Sequence, residues 1–313
     1  MPNPPPDFVI AGAPKCGTTA IWAALKDHPE VYFSCMKEPH YYAFDYPGRR
    51  EITTLEDYER LFRDAAPGQI RGDASVYYVS SDQAMPAILQ VRSDVKVVVS
   101  IRNPVDMFVS WHNELVKALD EDEPDLLRAW LLQNERAKGH KIPRLCKVPT
   151  SLQYKRMCSL GAQLRRLREI VPQSQLLVLF HEDMATRPRE TYQHLVRFLG
   201  IADQGLQEFP RENSFSKFDS MLVARLVRST VANPFVRNFR SKMKGPLNDR
   251  GIHPLGWLIK RYARPSPKPA LPQEFRQHLI AEFSEDIGLI EELVGRDLSN
   301  WRTKDSTSTV ASP

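Results

Sequence analysis

The stretch that most constrains this chain is an apolar segment that runs through a turn of small residues into a helix. Residues 7–13 read DFVIAGA, and residues 18–29 read TTAIWAALKDHP. Ile21, Trp22 and Leu25 fall on one helical face, and the final proline stops the helix. The pattern predicts a strand, a phosphate-type turn and a helix, which is a common start for an α/β domain.

Short, nearly continuous apolar runs recur along the chain, separated by segments with helical spacing. Such runs are typical of strands in a parallel sheet that is covered on both faces. Further strands are predicted at 31–35, 70–75, 95–101 and 174–180. The sequence therefore predicts a single α/β domain over residues 1–313, with a doubly wound, mainly parallel sheet flanked by helices.

The predicted domain has four parts. Its core covers about 7–205, and a basic helical insertion covers about 213–270. Two amphipathic helices follow within about 272–302, and residues 303–313 form a disordered tail. With 313 residues and 42% hydrophobic side chains, the chain is long enough to bury one large core.

Composition argues against several other classes of protein. The longest apolar run, VKVVVSI, is far shorter than the roughly 18 residues of a membrane span. The first residues, MPNPPPDF, have no basic stretch leading into an apolar one. The four cysteines form no C-x-x-C pair and have no regular spacing, which indicates neither a zinc site nor a disulfide framework. We expect a soluble, cytoplasmic protein with reduced thiols.

The net charge of +5 is unevenly placed. Residues 225–268 carry eleven Lys and Arg against a single acid, Asp249. Such a block suits an anionic ligand, an acidic polymer or an anionic membrane surface, or it is a solvated basic insertion; we expect no nucleic-acid partner. The acidic run DEDEPD at 120–125 is expected to be a solvated loop rather than a metal site, because nothing orients its carboxylates. No metal cluster is predicted.

The first turn has the composition of an anion site. Gly12 and Gly17 have the spacing of a triphosphate P-loop, but Thr18 stands where that motif has its lysine, and Lys15 lies inside the turn instead. A strand that runs through small residues into a helix aims backbone N–H groups and the positive end of the helix dipole at one place. Thr18 and Thr19 add hydroxyl donors. The turn is therefore predicted to hold an oxyanion.

A second candidate anion site follows the strand at 95–101. The sequence SIRNP places Arg102 at its end, where a P-loop enzyme would have an aspartate, and a guanidinium is a planar fork suited to phosphate. The helix that follows Pro104 puts Ser110 about two turns along. Two such sites at neighbouring strand ends suit a nucleoside with a phosphate at each end. The alternatives are a local salt bridge for Arg102 and an ordinary helical role for Ser110.

Three motifs in order carry a resemblance. PKCGTT at 14–19, KEPHYY at 37–42 and VVSIRNPVDMFVSWHN at 98–113 resemble the sulfotransferases that use 3′-phosphoadenylyl sulfate (PAPS). They look most like the bacterial members related to the heparan sulfate sulfotransferases. Later segments, including QLLVLFHEDMATRPRETYQHLVRFLGI and LIEELVGRDLSNW, extend the likeness over nearly the whole chain.

The resemblance implies how the donor is bound. In this family the first loop binds the 5′-phosphosulfate, which implies that role for Lys15, Cys16, Gly17, Thr18 and Thr19. The third motif binds the 3′-phosphate through an arginine and a serine, which correspond to Arg102 and Ser110. A late basic residue closes over the nucleotide, and Lys217 in NSFSKFDS is a loose match.

The resemblance also implies a mechanism. Its base is the glutamate of the second motif, which is Glu38, and His40 matches a nearby histidine that orients either the base or the acceptor. Because Glu38 precedes Pro39, its backbone is biased to an extended form that keeps it out of a helix. Lys15 is expected to stabilise the leaving 5′-phosphate. The implied reaction is in-line transfer of a sulfuryl group from PAPS to a hydroxyl or an amine, without a metal.

Two departures from the family pattern bear on the acceptor, which is a small molecule, a glycan or a lipid. Heparan-type members often carry a lysine where GDASVYY has Ala74. This difference argues against a heparan-like polysaccharide as the acceptor. A tyrosine that often opens a later helix is replaced by Gly161. Two other functions stay open: a P-loop nucleotide kinase or phosphotransferase, and a non-catalytic anion-binding protein that uses the basic segment.

Overall fold

The computed structural model describes residues 6–34, 36–210, 216–218, 263–265 and 271–303. The chain divides into two compact units. The first comprises Met1–Phe108, Lys155–Glu212 and Leu271–Pro313, and the second comprises Val109–Tyr154 and Asn213–Ala270.

The strands form a parallel sheet and a separate strand pair. In chain order they are β1 (Phe8–Gly12), β2 (Val31–Phe33), β3 (Ile70–Ala74), β4 (Lys96–Ile101), β5 (Leu176–Phe180), β6 (Ser216–Phe218) and β7 (Ala263–Pro265). The first five lie in the first unit in the order β2-β3-β1-β4-β5, and every neighbouring pair is parallel. The five strands predicted for the core and the α/β fold class are confirmed.

The order of the strands determines where a ligand can bind. The chain passes from β1 to the edge strand β2, returns to β3, and then crosses to β4 on the other side of β1. In open α/β sheets ligands bind at the carboxyl ends of the strands, where the winding changes direction. Here that place is the turn that follows β1, flanked by the ends of β3 and β4.

Helices cover the sheet and continue the chain. They are α1 (Thr18–Leu25), α2 (Leu55–Arg60), α3 (Ala84–Val91), α4 (Pro104–Lys117), α5 (Leu126–Leu131), α6 (Gln133–Ala137), α7 (Tyr154–Cys158), α8 (Leu160–Ile170), α9 (His181–Thr186), α10 (Pro188–Leu199) and α11 (Gln273–Val294). Short 3-10 turns lie at Pro47–Arg49, Pro149–Leu152, Gln173–Gln175 and Ser299–Trp301.

The core of the first unit lies around β1, whose five residues are all buried. Ile21 and Leu25 of α1 pack into the same cluster as Leu195 and Leu199 of α10. Burying a side chain of this size contributes about 1.5–3 kcal/mol to stability. The packing fixes the central strand, so the turn that follows it has a rigid base.

The C-terminal region contains one long helix where two were predicted. Helix α11 has 22 residues and buries a stripe that includes Phe275, Phe283 and Ile290. Because that stripe keeps its helical spacing across SEDIGL, the polar residues there do not break the helix. Gly295, in the left-handed conformation, ends it.

The acidic run at 120–125 is partly buried, so the prediction of a solvated loop is wrong for its first two residues. Glu121 accepts hydrogen bonds from Arg136 at 2.5 and 2.7 Å and from the Tyr154 hydroxyl at 2.5 Å. Asp120 is also buried, and it accepts a bond from the Lys147 amide at 2.8 Å. The partners that make burial possible lie 15 to 33 residues away from the run, beyond the reach of a local pattern.

Most of the predicted basic insertion lies outside the described residues. Where it is described, at β6 and β7, the chain forms an antiparallel strand pair rather than helix, with Lys217 opposite Arg264. Residues 304–313 of the predicted tail are also outside the described part. No helix in the described part of the chain has the length and apolar character needed to cross a bilayer.

Candidate active site

The turn after β1 is shaped by two glycines. A Cβ at Gly12 would lie 2.6 Å from the Val76 carbonyl oxygen, so only glycine allows β1 and the segment after β3 to approach so closely. Gly17 adopts a left-handed backbone with φ 89° directly before α1. Among the described residues no side chain caps this helix, so the N–H groups of Thr18 and Thr19 have no capping partner. Such an uncapped helix end is of the kind that binds anions.

Helix α9 packs against this turn. A Cβ at Gly17 would lie 2.6 Å from the Met184 methyl carbon and 3.1 Å from the His181 ring. Gly17 is therefore required both for its backbone angle and for space. The end of β5, where α9 begins, thus contributes to the walls of the turn.

Cys16 is a structural part of the turn. It is fully buried, and burial raises the pKa of its thiol far above the ordinary range. Its carbonyl oxygen accepts a hydrogen bond from the Ser100 hydroxyl at 2.5 Å. A neutral, enclosed thiol is not a nucleophile, so Cys16 fills space and offers its backbone to the site.

Arg102 joins the end of β4 to this turn. The residue is 8% exposed, and its Nη1 donates to the Lys15 carbonyl oxygen at 3.3 Å. The next residue, Asn103, accepts from the Val105 amide at 2.9 Å, which caps the start of α4. The two anion-binding turns predicted from sequence are therefore in direct contact.

Glu182, in the first turn of α9, lies on the other side of Arg102. Its Oε1 accepts from the Asn103 amide at 3.4 Å. Burial raises its pKa, while the positive charge of Arg102 acts in the opposite direction. A carboxyl group here balances part of the arginine charge.

Glu38 lies in the loop that follows β2, between two basic groups. Its carboxylate forms an ion pair with Lys37, and its Oε2 is 3.5 Å from Nε2 of His40. Burial raises the pKa of Glu38, but the hydrogen bond with His40 and the charge of Lys37 outweigh that effect and hold it at about 2. Since 35% of the side chain is exposed, Glu38 is an ionised carboxylate that a solute can reach.

His40 is enclosed beside Glu38. The residue is 3% exposed, and its ring packs edge-on against Tyr77 with centroids 5.0 Å apart. Its backbone N–H donates to the Ser75 hydroxyl at 3.0 Å. Within the described residues its Nδ1 has no hydrogen-bond partner. The ring therefore presents Nε2 to Glu38.

A buried carboxylate lies behind this loop. Asp73, at the end of β3, is 2% exposed and accepts hydrogen bonds from the hydroxyls of Ser75, Tyr58 and Tyr78 at 2.6, 2.7 and 2.8 Å. Burial raises the pKa of Asp73, and the three hydroxyl groups oppose that effect. Ser75 connects Asp73 to His40.

Several of the predicted site residues have an unusual backbone conformation. Among the described non-glycine residues, those with positive φ are Lys15, Glu38, His40, Leu119 and Lys141. Each such residue costs about 1–2 kcal/mol relative to the ordinary conformation. Three of the five are the predicted catalytic residues, and strain of this kind is concentrated at functional sites. The prediction of an extended backbone at Glu38 is wrong, because its φ is 61°.

The structure does not bring every predicted residue into this group. Ser110 lies in α4 and is partly buried, but it belongs to the second unit. Lys217 lies in β6, also in the second unit, rather than in a loop. Their roles stay predictions. The described residues contain no cluster of His, Cys, Asp and Glu suited to a metal ion.

Three contributors to the site were not predicted from the sequence: Lys37, Glu182 and the Asp73 network. A signal for one of them was present, because Asp73 lies one residue before the end of β3, and ligands bind at the carboxyl ends of such strands. Lys37 adjoins Glu38 in the sequence, but nothing local showed that the two side chains would pair.

Comparison with known proteins assigns this chain to a family. A model of the sulfotransferase domain matches residues 5–244. The structure is similar to that of a sulfotransferase from Alicyclobacillus acidocaldarius, with a TM-score of 0.68 at 22% identity, covering 96% of this chain and 99% of that one. At that identity the likeness shows the fold.

Curated relatives are also sulfotransferases. Mouse carbohydrate sulfotransferase 15 is 26% identical over 63% of this chain and 44% of its own length. Mouse heparan sulfate glucosamine 3-O-sulfotransferase 5 is 22% identical over 63% of this chain and 54% of its own length. The chain thus spans about half the length of these relatives. Since the family model covers most of the chain, the protein belongs to the sulfotransferase domain family.

Proposed function

We propose that this protein transfers a sulfuryl group from PAPS to a hydroxyl group of an acceptor. The observation that carries the proposal is the contact between Arg102 and the Lys15 carbonyl, because it places a guanidinium against a loop that ends at an open helix N-terminus. A donor with phosphate groups at both its 3′ and 5′ positions needs two such neighbouring sites.

The residues present fit the 5′ end of this donor. The uncapped first turn of α1 offers the N–H groups of Thr18 and Thr19, and their hydroxyls add two more donors. Lys15 supplies a positive charge from the same turn. Backbone donors bind a phosphosulfate without any change in their own charge, which makes the site independent of pH over a wide range.

Arg102 is proposed to bind the 3′-phosphate. Its guanidinium is held at the carboxyl end of β4, where α/β sheets bind ligands. One of its nitrogens is already committed to the Lys15 carbonyl, and a planar guanidinium has further N–H donors for phosphate oxygens. Ser110, on helix α4, is proposed to add a hydroxyl donor.

When bound, PAPS supplies an activated sulfuryl group and leaves as adenosine 3′,5′-bisphosphate. The acceptor oxygen forms a bond to sulfur while the bond from sulfur to the 5′-phosphate oxygen breaks. Lys15 stabilises the negative charge that grows on that oxygen, and fixed positive groups of this kind commonly contribute 10²–10³-fold, or about 2.7–4 kcal/mol.

Glu38 is proposed as the base that takes the acceptor proton. It is ionised at neutral pH because its pKa is about 2. The hydroxyl proton becomes acidic only as the new oxygen–sulfur bond forms, so a carboxylate held beside the acceptor can receive it during the transfer. His40, 3.5 Å from Glu38, orients the carboxylate. We propose that Lys15 and Arg102 supply the positive charge that the chemical step needs without a metal.

The acceptor is proposed to be a glycan or a small molecule. The names of the relatives describe carbohydrate and heparan sulfate as their acceptors, and these names support a sugar hydroxyl here. An amine is the other nucleophile that this chemistry accepts. A cytoplasmic location, expected from the sequence, remains part of the proposal.

Calorimetric binding in EDTA tests the donor class. We expect adenosine 3′,5′-bisphosphate to bind with a micromolar or lower Kd without metal, and more tightly than ATP with Mg²⁺. AMP, which lacks the 3′-phosphate, is the matched control ligand and should bind more weakly. A preference for Mg²⁺·ATP over the bisphosphate would contradict the proposal and favour a P-loop kinase.

A further inference from the structure

The loop that carries Glu38 and His40 is attached to the end of β3 by two hydrogen-bond relays. In the first, the His40 backbone N–H donates to the Ser75 hydroxyl at 3.0 Å, and that hydroxyl donates to Oδ1 of Asp73 at 2.6 Å. In the second, the Tyr42 N–H donates to the Tyr78 hydroxyl at 3.4 Å, and that hydroxyl donates to Oδ2 of Asp73 at 2.8 Å. Both relays end on one carboxylate.

The direction of these bonds depends on Asp73. A hydroxyl has one proton to donate, and an ionised carboxylate can only accept. Because Asp73 takes the protons of Ser75 and Tyr78, the lone pairs of both hydroxyls are left for the backbone N–H groups of His40 and Tyr42. All five residues are less than 5% exposed, so water does not compete for these bonds.

The same segment is attached to the turn that holds Lys15. The Ser75 amide donates to the Ile10 carbonyl at 3.1 Å, and the Val79 amide donates to the Ala11 carbonyl at 2.8 Å. Gly12 packs against Val79 so closely that no side chain fits between them. Residues 73–79 therefore contact the end of β1 on one side and the loop after β2 on the other.

We propose that Asp73 is a positioning residue that holds Glu38 and His40 in register with the Lys15 turn, through Ser75 and Tyr78. The inference rests on the proposed function, because sulfuryl transfer requires the base to lie at a fixed position relative to the bound donor. A displacement of about 1 Å can lower the rate of such a reaction about 100-fold, and loss of a group that orients a functional residue commonly costs about 10–100-fold.

The chain offers a matched control for this proposal. Tyr58 and Tyr78 are both buried, and their hydroxyls lie at 2.7 and 2.8 Å from the same oxygen of Asp73. Tyr78 also accepts a bond from the loop, whereas the hydrogen bond of the Tyr58 hydroxyl goes to Asp73. Tyr58→Phe removes a donor to Asp73 and keeps both relays, while Tyr78→Phe and Ser75→Ala each break one.

The experiment measures turnover, donor binding and amide hydrogen exchange for these three variants of the full chain. For Ser75→Ala and Tyr78→Phe we expect kcat to fall about 10–100-fold, while the Kd of adenosine 3′,5′-bisphosphate stays within about threefold. For Tyr58→Phe we expect a loss of kcat under about threefold. Amide exchange at His40 should become faster in Ser75→Ala, and exchange at Tyr42 faster in Tyr78→Phe, relative to Tyr58→Phe.

The result that overturns the inference is an equal loss of kcat in Tyr58→Phe and Tyr78→Phe with unchanged exchange at His40 and Tyr42. The exchange measurement also separates this inference from the proposed function. If the unmodified protein transfers no sulfuryl group from PAPS, the proposed function fails, and unequal exchange still supports the relays. If transfer occurs and exchange at the two amides is the same in all variants, Asp73 has no positioning role.

Discussion

The two sides of the site are built in different ways. The β1–β4 side, made of residues 13–19 with Arg102 and Asn103, offers mainly backbone N–H groups and fixed positive charge. The β2–β3 side, made of residues 37–42 and 73–78, depends on side chains that hydrogen-bond across long stretches of sequence. The first arrangement suits the binding of the donor's phosphate groups, which do not change with the acceptor. The second suits the placing of a group that reacts.

The β2–β3 side holds two kinds of carboxylate. Glu38 is partly exposed and paired with Lys37 and His40, so it is ionised and accessible. Asp73 is enclosed by three hydroxyl donors and does not reach solvent. Accessible charge is available for chemistry, whereas enclosed charge fixes its neighbours. Variants of these two carboxylates should therefore affect different measurements, and so should variants on the two sides of the site.

The largest effect is expected at the base. Glu38→Gln keeps the shape of the side chain and removes its basic oxygen, so kcat should fall by about 10²–10⁴-fold while the Kd of adenosine 3′,5′-bisphosphate is unchanged. Steady-state kinetics and calorimetry check this. Equal losses of binding and turnover would mean that the β2–β3 side also holds the donor, and the contrast between the sides would disappear.

Lys15→Ala tests the charge on the opposite side. Because the lysine is proposed to stabilise the leaving phosphate, kcat should fall by about 10²–10³-fold. Donor binding should also weaken, which distinguishes this variant from Glu38→Gln. Near-normal turnover would remove Lys15 from the mechanism.

Arg102→Ala should act on binding. Hydrogen bonds to charged groups are worth about 1.5–3 kcal/mol, so the Kd of adenosine 3′,5′-bisphosphate should rise about 10–150-fold. The Kd of AMP should change far less, because AMP has no 3′-phosphate. Equal weakening of the two nucleotides would show that Arg102 supports the loop rather than the phosphate.

Asp73→Asn should act on stability. The amide brings N–H donors to a place where three hydroxyls need an acceptor, and the misfit should lower the free energy of unfolding by about 1–3 kcal/mol. Asp64→Asn, made at an exposed carboxylate, is the control and should change it by less than about 0.5 kcal/mol. Chemical denaturation of both variants tests whether the enclosed carboxylate of Asp73 supports the fold.

Lys37→Met should shift the pH dependence on the β2–β3 side. Burial raises the pKa of Glu38, and with the Lys37 charge removed that effect is opposed by His40 alone, so the pKa should rise from about 2 towards 4.5. The acid limb of kcat/KM should move to higher pH in the variant. An unmoved limb would show that Lys37 does not hold the carboxylate.

The lowered pKa of Glu38 also determines how the stability of the folded state changes with pH. The lowered pKa of Glu38 stabilises the folded state above about pH 4.5, and this contribution is lost as the pH falls towards 2. The stability difference between the unmodified protein and Lys37→Met should therefore be present at neutral pH and vanish in strong acid.

The β1–β4 side could be predicted from the sequence because its structure is local. A buried strand, two spaced glycines and a helix start within twelve residues predict an anion site, and Arg102 directly follows a strand. The contact of Arg102 with the Lys15 carbonyl was not predictable, since it depends on how the two turns pack against each other.

The β2–β3 side was only partly predictable. Glu38 and His40 were found through the motif that contains them, but Ser75 lies 35 residues from His40, and Tyr58 lies 15 from Asp73. No local pattern relates such residues, because the relation is created by the pairing of β2 with β3. The buried pair of Glu121 and Arg136 escaped prediction for the same reason.

The most direct test of the central claim is transfer of radiolabelled sulfate from PAPS to a panel of glycan and small-molecule acceptors in EDTA, with Glu38→Gln run beside the unmodified protein. We expect a labelled acceptor product with the unmodified protein and at least about a 100-fold lower rate with the variant. A variant that transfers sulfate as fast as the unmodified protein would contradict it.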